Sequence, residues 1–403
     1  MKIIVQKFGG TSVADVERLS NVAKIIQEEM NLGSKVVVVV SAMAGVTNSL
    51  IAKCDALSKL DRTSHMREYD AALSSGEVVT ASLLALKLQD IGIMARSIQS
   101  WQVGLKADDV HGNAQLVEVD SKLIRSMLDF GITPVITGFQ GVNDDGDIAT
   151  LGKGGSDTSA AIIAANLSAD RCDIYTDVDG IYSADPRIVH DAKKIDRMHV
   201  DELYALCSAG AKVLHSRAAL VAKRYELHMR VLSSFTQNIG TIISPEACKK
   251  NEKDVIAVTS NKNLLKIDAS HVGANSDKIV GIFNENSIQI EHLCKLEEKS
   301  FAVIINLSDK NKCQNLLSNL RDQGFLCEYK LHLNISTVSV VGYGVQSDAN
   351  LIHRVTHLLE QDSIKILWFD ISDSRISVLV YDEDAECAVK LLHDVLMNSI
   401  IEN

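Results

Sequence analysis

Two hydrophobic periods alternate along the first 240 or so residues. Residues 2–8 read as a strand, and 15–30 place Val16, Leu19, Val22, Ala23 and Ile26 at helical spacing. Residues 35–40 are a continuous apolar run of the kind found in a strand covered on both faces. Residues 77–87 read as a helix, 132–137 as a buried strand, 156–167 as an Ala-rich helix, 172–176 as a strand and 201–225 as mostly helical. This alternation predicts an α/β sandwich around a mainly parallel sheet. In such sheets ligands sit at the carboxyl ends of strands, and the small and polar residues concentrate there.

The pattern changes after a polar, charged stretch at 246–254, which reads as a linker. Ser287-Ile288-Gln289-Ile290 recurs as Ser363-Ile364-Lys365-Ile366, and Leu316-Leu317 recurs as Leu391-Leu392, so the period is about 75 residues. Each unit reads strand, helix, strand, strand, helix, which predicts two α+β modules. A further strand-like run, 255–259, precedes the first unit's own strand at 264–268.

Length and composition narrow the class. A chain of 403 residues implies two to three domains. Lys+Arg total 41 against 52 Asp+Glu, a formal charge of −11, which argues against nonspecific binding to nucleic acid or an anionic membrane. No apolar run approaches the roughly 20 residues that span a bilayer, and the amino end lacks the pattern of a signal peptide. The eight Cys are scattered without a CxxC pair, which fits free thiols in a reducing, cytoplasmic compartment better than disulfides or zinc.

Four clusters carry candidate chemistry. Lys7-Phe8-Gly9-Gly10-Thr11-Ser12 follows the first strand. Its two Gly permit close backbone approach to a phosphate, Lys7 adds a point charge, and Thr11 and Ser12 are candidate caps for the next helix. A plain strand-to-helix turn explains it equally well. Residues 41–48, from Ser41 to Asn48, read most simply as an ordinary helix start. Residues 150–159 place Gly152, Lys153, Gly154, Gly155, Ser156 and Asp157 before the Ala-rich helix. They match neither a Walker A loop nor a dinucleotide GxGxxG, and leave a nest able to hold carboxylate or phosphate. Residues 175–187 run from a strand end through Asp177, Asp179 and Tyr182 to Arg187. Asp there can accept from ribose hydroxyls and Arg187 can fork onto phosphate, or the segment is an Asp-Gly and Asp-Pro turn.

In this order the clusters resemble the aspartate kinase family, together with Gly76-Glu77, the TGFQG run at 137–141 and the GAKVLHSRA run at 210–218. The resemblance covers the first 240 or so residues. It implies the three-layer αβα amino-acid-kinase sandwich and transfer of the γ-phosphoryl group of ATP, with Mg2+, to the β-carboxylate of L-aspartate. That reaction opens the biosynthesis of lysine, threonine, methionine and diaminopimelate. Carried over position by position, it implies that Lys7 and Asp157 are catalytic, with Asp157 orienting Lys7. Lys7, Phe8, Gly9, Gly10, Ser41, Thr176, Asp177, Tyr182, Arg187 and Lys212 would bind the nucleotide. Thr47, Glu77, Lys153, Gly154, Gly155 and Ser156 would bind aspartate, with Glu77 on its amino group. Mg2+ is expected to ride on the ATP phosphates rather than on a dedicated protein site. Two departures stand out. Lys153 replaces the Arg that grips the aspartate α-carboxylate, which predicts weaker aspartate binding, and Ser216 stands where Pro is common.

The repeated tail is similar to paired ACT domains, which implies control by an end-product amino acid, lysine or threonine, or a role in dimerisation alone. The expected boundaries are 1–245 for the kinase domain, 263–333 for the first ACT domain, and 254–262 with 334–403 for a discontinuous second one. A homodimer or larger homo-oligomer through the ACT domains is expected. The loops before the first ACT helices, 271–277 and 344–350, lack the family's Pro. His353 and His357 read as helix surface rather than metal ligands. Two alternatives stay open: a related kinase with another acceptor such as glutamate, and a non-catalytic amino-acid sensor.

Overall fold

A computed structural model of the chain describes residues 1–57, 65–236, 238–247, 255–271, 276–286, 288–297 and 300–398. These fall into two compact units, each treated by itself.

The first unit comprises Met1–Tyr182, Lys194–Ser208 and Lys212–Lys249. Its centre is an eight-stranded sheet ordered Arg197–His199, Thr241–Ser244, Met229–Ser233, Arg171–Thr176, Ile3–Phe8, Lys35–Val40, Thr133–Thr137, Ala95–Ile98. Every pair is parallel except Met229–Ser233 with Thr241–Ser244. The all-apolar Val36–Val40 stretch is buried throughout, because helices cover both faces. Val36, Val38 and Val40 share a core with Leu19, Val22 and Ile26 of helix Val16–Asn31 and with Leu84 and Leu88 of helix Met66–Asp90. Helix Gly155–Leu167 packs on Ile3–Phe8 and Arg171–Thr176 from the other side. The predicted three-layer sandwich is therefore the architecture of this unit.

The helix expected at 77–87 spans Met66–Asp90. Its buried positions include Asp70, Ser74, Glu77 and Thr80, so polar residues interrupt the apolar period on the inward face. It is long and apolar enough to cross a membrane by length and composition. Two carboxylates hydrogen-bonded inside this unit mark it instead as a core helix. Residues 201–225 divide into Val200–Ser208 and Ser216–Arg224, the second capped by His215. The expected caps Thr11 and Ser12 do not cap the first helix. Asp15 does, accepting from the Arg18 amide at 2.8 Å.

The second unit comprises Ser183–Lys193, Ala209–Ala211 and Lys250–Asn403. The kinase domain drawn as 1–245 thus differs from the observed unit by two excursions, the longer directly after Tyr182. Each repeat shows the expected strand, helix, strand, strand, helix order. The sheet is a single one, ordered Ile290–Glu297, Ser300–Asn306, Val255–His271, Leu326–Gly342, Arg375–Tyr381, Trp368–Ser372. Its two central strands are each 17 residues long and pair with one another antiparallel along their length. The run 255–259 is therefore continuous with 264–268. Register shifts between Asn261 and Leu264, with Asn263 at φ 63°, bend the strand without ending it. Asn334 at φ 57° plays the same part in the other long strand.

Two helix-covered cores result. One gathers Leu265, Ile267, Phe283, Val303 and Leu317. The other gathers Val258, Val338, Val355, Val378 and Leu392, and takes in Ala184 and Val189 from the Ser183–Lys193 excursion. His353 and His357 stack along helix Ala349–Gln361 at 5.6 Å. Most of the predicted linker, from residue 248, and residues 272–275 of the first ACT loop lie outside the described residues.

Candidate active site

A cavity of about 320 Å3 opens in the first unit at the carboxyl ends of Ile3–Phe8 and Lys35–Val40. Lys7, Gly9 and Gly10 reach it from the first strand, Ser41 to Gly45 with Thr47 and Asn48 from the end of the second, Glu77 from the long helix, and Gly152 to Asp157 from the loop before helix Gly155–Leu167 and its first turn. The strand pairing brings the first two groups together, since Phe8 stands opposite Val40.

At one end, Lys7 Nζ lies 2.6 Å from Asp157 Oδ1, both side chains largely buried. Asp157 stands in the first turn of its helix, where the positive end of the helix dipole favours a carboxylate. Gly154, which precedes that helix, has φ 72°, and a Cβ there would fall 2.3 Å from the Cβ of His215. The tight loop therefore requires glycine at this position.

At the other end, Glu77 is only 3% exposed. Its Oε1 accepts from the Ala42 amide at 2.9 Å, while Oε2 has no partner among the described residues. Burial pushes its carboxyl up to about 7, against the pull of the Ala42 and Glu77 amides. A Cβ at Gly76 would sit 2.8 Å from the Ala42 Cβ, so the Gly76-Glu77 pair is what lets the helix press this close to the 41–44 turn. An unpartnered buried carboxylate oxygen facing a cavity is a site for an ammonium group.

The cavity unites Lys7, Gly9, Gly10, Ser41, Thr47, Glu77, Lys153, Gly154, Gly155, Ser156 and Asp157 of the predicted residues. Lys153 is exposed at its rim. Six predicted residues do not line it. Phe8 is fully buried and stacks on Tyr175 with centroids 4.7 Å apart. Thr176 and Asp177 end the strand next to Ile3–Phe8, with Thr176 Oγ1 bonded to Asp177 at 3.1 Å. Tyr182 donates to Asp179 at 2.8 Å, which Asn238 also approaches at 3.2 Å. These bonds hold the Asp179 carboxyl below its usual value and raise the Tyr182 hydroxyl. Arg187 belongs to the second unit, where it pairs with Asp185 at 2.6 Å. Lys212 is exposed.

Three residues that the sequence reading did not single out support the site. Phe139 lines the cavity with φ 71°, an unusual backbone state for an aromatic residue, and its carbonyl accepts from Leu151 at 2.8 Å. Asp70 is fully buried and accepts from the Thr150 hydroxyl at 2.5 Å and from the Thr150 and Gly112 amides at 3.0 Å each, with His111 Nδ1 at 2.8 Å. It ties the helix of Glu77 to the strand that leads into the Lys153 loop. Arg217 donates to the Leu151 and Ala114 carbonyls at 3.1 Å each, fastening the same loop. Only Phe139 carried a sequence signal, through the TGFQG run.

Comparison with other proteins places this arrangement. A model of the amino acid kinase family matches residues 2–233. An aspartokinase of Rickettsia felis is 42% identical over 397 residues, covering 98% of this chain and 99% of that protein. An aspartokinase of Geobacillus stearothermophilus is 36% identical over 401 residues, with 98% and 97% covered. Among solved structures, E. coli aspartokinase III in complex with aspartate and ADP, in its R-state, superposes with a TM-score of 0.86 at 27% identity, covering 98% of this chain and 100% of that one. The T-state of that enzyme with lysine and aspartate gives a TM-score of 0.72 at 28% identity, with the same coverage.

Proposed function

The chain belongs to the aspartokinases of the amino acid kinase family, and from that premise we propose a role for each residue of the cavity. The reaction itself is transfer of the γ-phosphoryl group of ATP to the β-carboxylate of L-aspartate, giving 4-phospho-L-aspartate and ADP. A β-carboxylate oxygen attacks the γ-phosphorus as the bond to the β,γ-bridging oxygen breaks. The nucleophile is ionised at neutral pH, so no general base is needed, and positioning with charge neutralisation carries the catalysis.

Lys7 neutralises charge on the transferring group, and Asp157 holds its ammonium in place. Gly9, Gly10 and Ser41 face the phosphates. Glu77 receives the aspartate ammonium on its open oxygen, Thr47 bonds the substrate, and Lys153 with the Gly154–Ser156 backbone takes the α-carboxylate. Thr176, Asp177 and Tyr182, at the neighbouring strand end, contact the nucleoside. Phe8 acts through packing rather than contact, given its burial. For Arg187 and Lys212, neither of which lines the cavity, the phosphate role rests on the family resemblance alone. The observation that carries these assignments is the pairing of an ion-paired Lys7 with an open-valence Glu77 across one cavity.

Mg2+ belongs to the same proposal. One oxygen of Asp157 is paired with Lys7 and one of Glu77 accepts from the Ala42 amide, so the described residues of the cavity offer no full cage for a bare ion. Its donor set fits an ion carried on the phosphates, with Asp157 and Ser41 the residues that would meet it. Bound there, Mg2+ spreads the charge of the β- and γ-phosphates. Regulation by an amino acid through the second unit is supported by the lysine complex of the E. coli relative, and the paired modules fit a homo-oligomer. A cytoplasmic setting accords with the free state of Cys54, Cys172, Cys207, Cys313, Cys327 and Cys387.

The test is ATP turnover with aspartate or glutamate as acceptor, trapping the acyl phosphate with hydroxylamine. Aspartyl hydroxamate is expected, with little or no glutamyl product. Absence of aspartyl hydroxamate overturns the reading.

A further inference from the structure

Beyond the kinase cavity, the second unit contains a buried histidine whose bonding is incomplete. His393, on helix Ala385–Asn398, is 2% exposed, and its Nδ1 has no hydrogen-bond partner among the described residues. Its Nε2 lies 2.9 Å from Ser183 Oγ, an oxygen that also accepts from the Lys193 amide at 2.9 Å. A buried imidazole nitrogen without a partner is costly in a folded core. The exposed Asp394 has its Oδ1 3.8 Å from Nδ1, too far for a hydrogen bond. Exposed Asp191 completes the group. One donor atom from each of Asp191, His393 and Asp394 lies within 4.8 Å of the other two.

We propose that Asp191, His393 and Asp394 form a binding site for a divalent transition-metal cation, with Zn2+ the best match. The ligand chemistry points there. One imidazole with two carboxylates suits zinc and its neighbours better than Mg2+ or Ca2+, which favour all-oxygen sets. Two carboxylates neutralise a doubly charged ion. Three protein ligands leave a fourth position for water. In the tautomer that donates Nε2–H to Ser183 Oγ, the Nδ1 lone pair is free to coordinate, which is how metal-binding histidines are oriented by an outer partner. Metal–ligand bonds of about 2.1 Å bring donor atoms to roughly 3.3 Å of one another, so binding draws the two exposed carboxylates inward by about 1 Å.

The site has a structural consequence. Asp191 and Ser183 come from the Ser183–Lys193 excursion, and His393 and Asp394 from the last helix. The ion therefore fastens that excursion to the core holding Ala184, Val189 and Leu392.

The experiment uses the full-length protein, washed with chelator and dialysed against Zn2+. Wild type is compared with Asp191→Asn and Asp394→Asn, both surface changes that leave the core intact. The expected result is one zinc equivalent held by wild type that each variant binds at least about tenfold more weakly. X-ray absorption of that equivalent should show an imidazole, oxygen ligands and no sulfur. His393→Gln should remove the site as well, and the two Asp variants decide the matter if it fails to fold. Identical zinc isotherms for wild type and both Asp variants, or sulfur ligation of the lost equivalent, would sink the proposal. Neither outcome depends on kinase activity.

Discussion

The two ends of the kinase cavity each bury one carboxylate and treat it in opposite ways. Asp157 has its counter-ion in the resting fold, Lys7 at 2.6 Å. Glu77 has an amide on one oxygen and, among the described residues, nothing on the other, and burial lifts its carboxyl to about 7. On the proposed assignments the nucleotide end is preorganised, while the acceptor end is left incomplete. An interaction already made in the free enzyme costs no reorganisation when the transition state forms. One left open is completed by substrate, so it reports on binding. The difference predicts that mutations at the two ends divide between kcat and KM.

The largest effect is expected at the first end. Lys7→Ala should lower kcat by roughly 10²–10³-fold or more while changing the aspartate KM little, because it removes stabilisation of the transferring charge and strands Asp157. Steady-state kinetics with aspartate varied will decide. A rise in aspartate KM as large as the fall in kcat would erase the distinction between the ends. Glu77→Gln should do the reverse, raising the aspartate KM by roughly 10- to 100-fold, the worth of a charge-assisted hydrogen bond of about 1.5–3 kcal/mol.

Glu77 also gives the comparison a pH signature. Its folded pKa, about 7, stands above the ordinary value of 4.5. Between those values the folded chain holds a proton that the unfolded chain has lost. Stability from this group is therefore complete below pH 4.5 and is lost as pH rises through 7, a change of about 3 kcal/mol. On the proposed role of Glu77, aspartate supplies the missing counter-charge above pH 7. Its stabilising shift in melting temperature should be larger at pH 8 than at pH 5.5, and Glu77→Gln should flatten the difference. Equal shifts at both pH values in wild type would show that the substrate ammonium does not meet Glu77.

A smaller, mixed effect is expected at Asp70. It sits two turns before Glu77 on the same helix and binds Thr150, just ahead of the Lys153 loop. Asp70→Asn removes the charge and turns one of two acceptor oxygens into a donor, facing either the Thr150 hydroxyl or the Thr150 and Gly112 amides. It should cost about 1–3 kcal/mol of stability and raise the aspartate KM several-fold, with the ATP KM nearly unchanged. A melting curve and the two KM values separate this positioning role from plain destabilisation, which would move both substrates together.

Much of this site was legible in the sequence because its loops are encoded locally. Gly154 and the Gly76-Glu77 pair stand where a side chain or a wider helix would collide, and such constraints leave glycines in short, readable runs. Asp70 and Arg217 were not legible. Their partners, Thr150 and Leu151, are 80 and 66 residues away, and a single acidic or basic residue in a helix looks like solvated surface until the fold closes. The same limit explains the helix read too short, since Asp70, Ser74 and Thr80 hide its inward face from a hydrophobicity count. It also explains the single sheet of the second unit. The repeat marks two modules, but whether 255–259 and 264–268 form one bent strand or two is decided by the partner strand. The excursion after Tyr182 was missed for a related reason. Ala184 and Val189 are small or isolated apolar residues in a polar turn, and only their place in a core reveals them.

The smallest expected effect lies at Lys153, and it sharpens the acceptor end. The residue is exposed on the cavity rim, beside the start of helix Gly155–Leu167. A lysine ammonium meets a carboxylate as a point charge, whereas arginine offers two parallel donors at fixed spacing. If Lys153 holds the α-carboxylate while Glu77 holds the ammonium, Lys153→Arg adds one donor to a contact already made. The aspartate KM should then fall by roughly 2- to 10-fold, the worth of one further hydrogen bond of about 0.5–1.5 kcal/mol, with kcat nearly unchanged. An unchanged or higher KM would mean that the helix start and its backbone amides hold the α-carboxylate alone. The incomplete valence of the acceptor end would then be confined to Glu77.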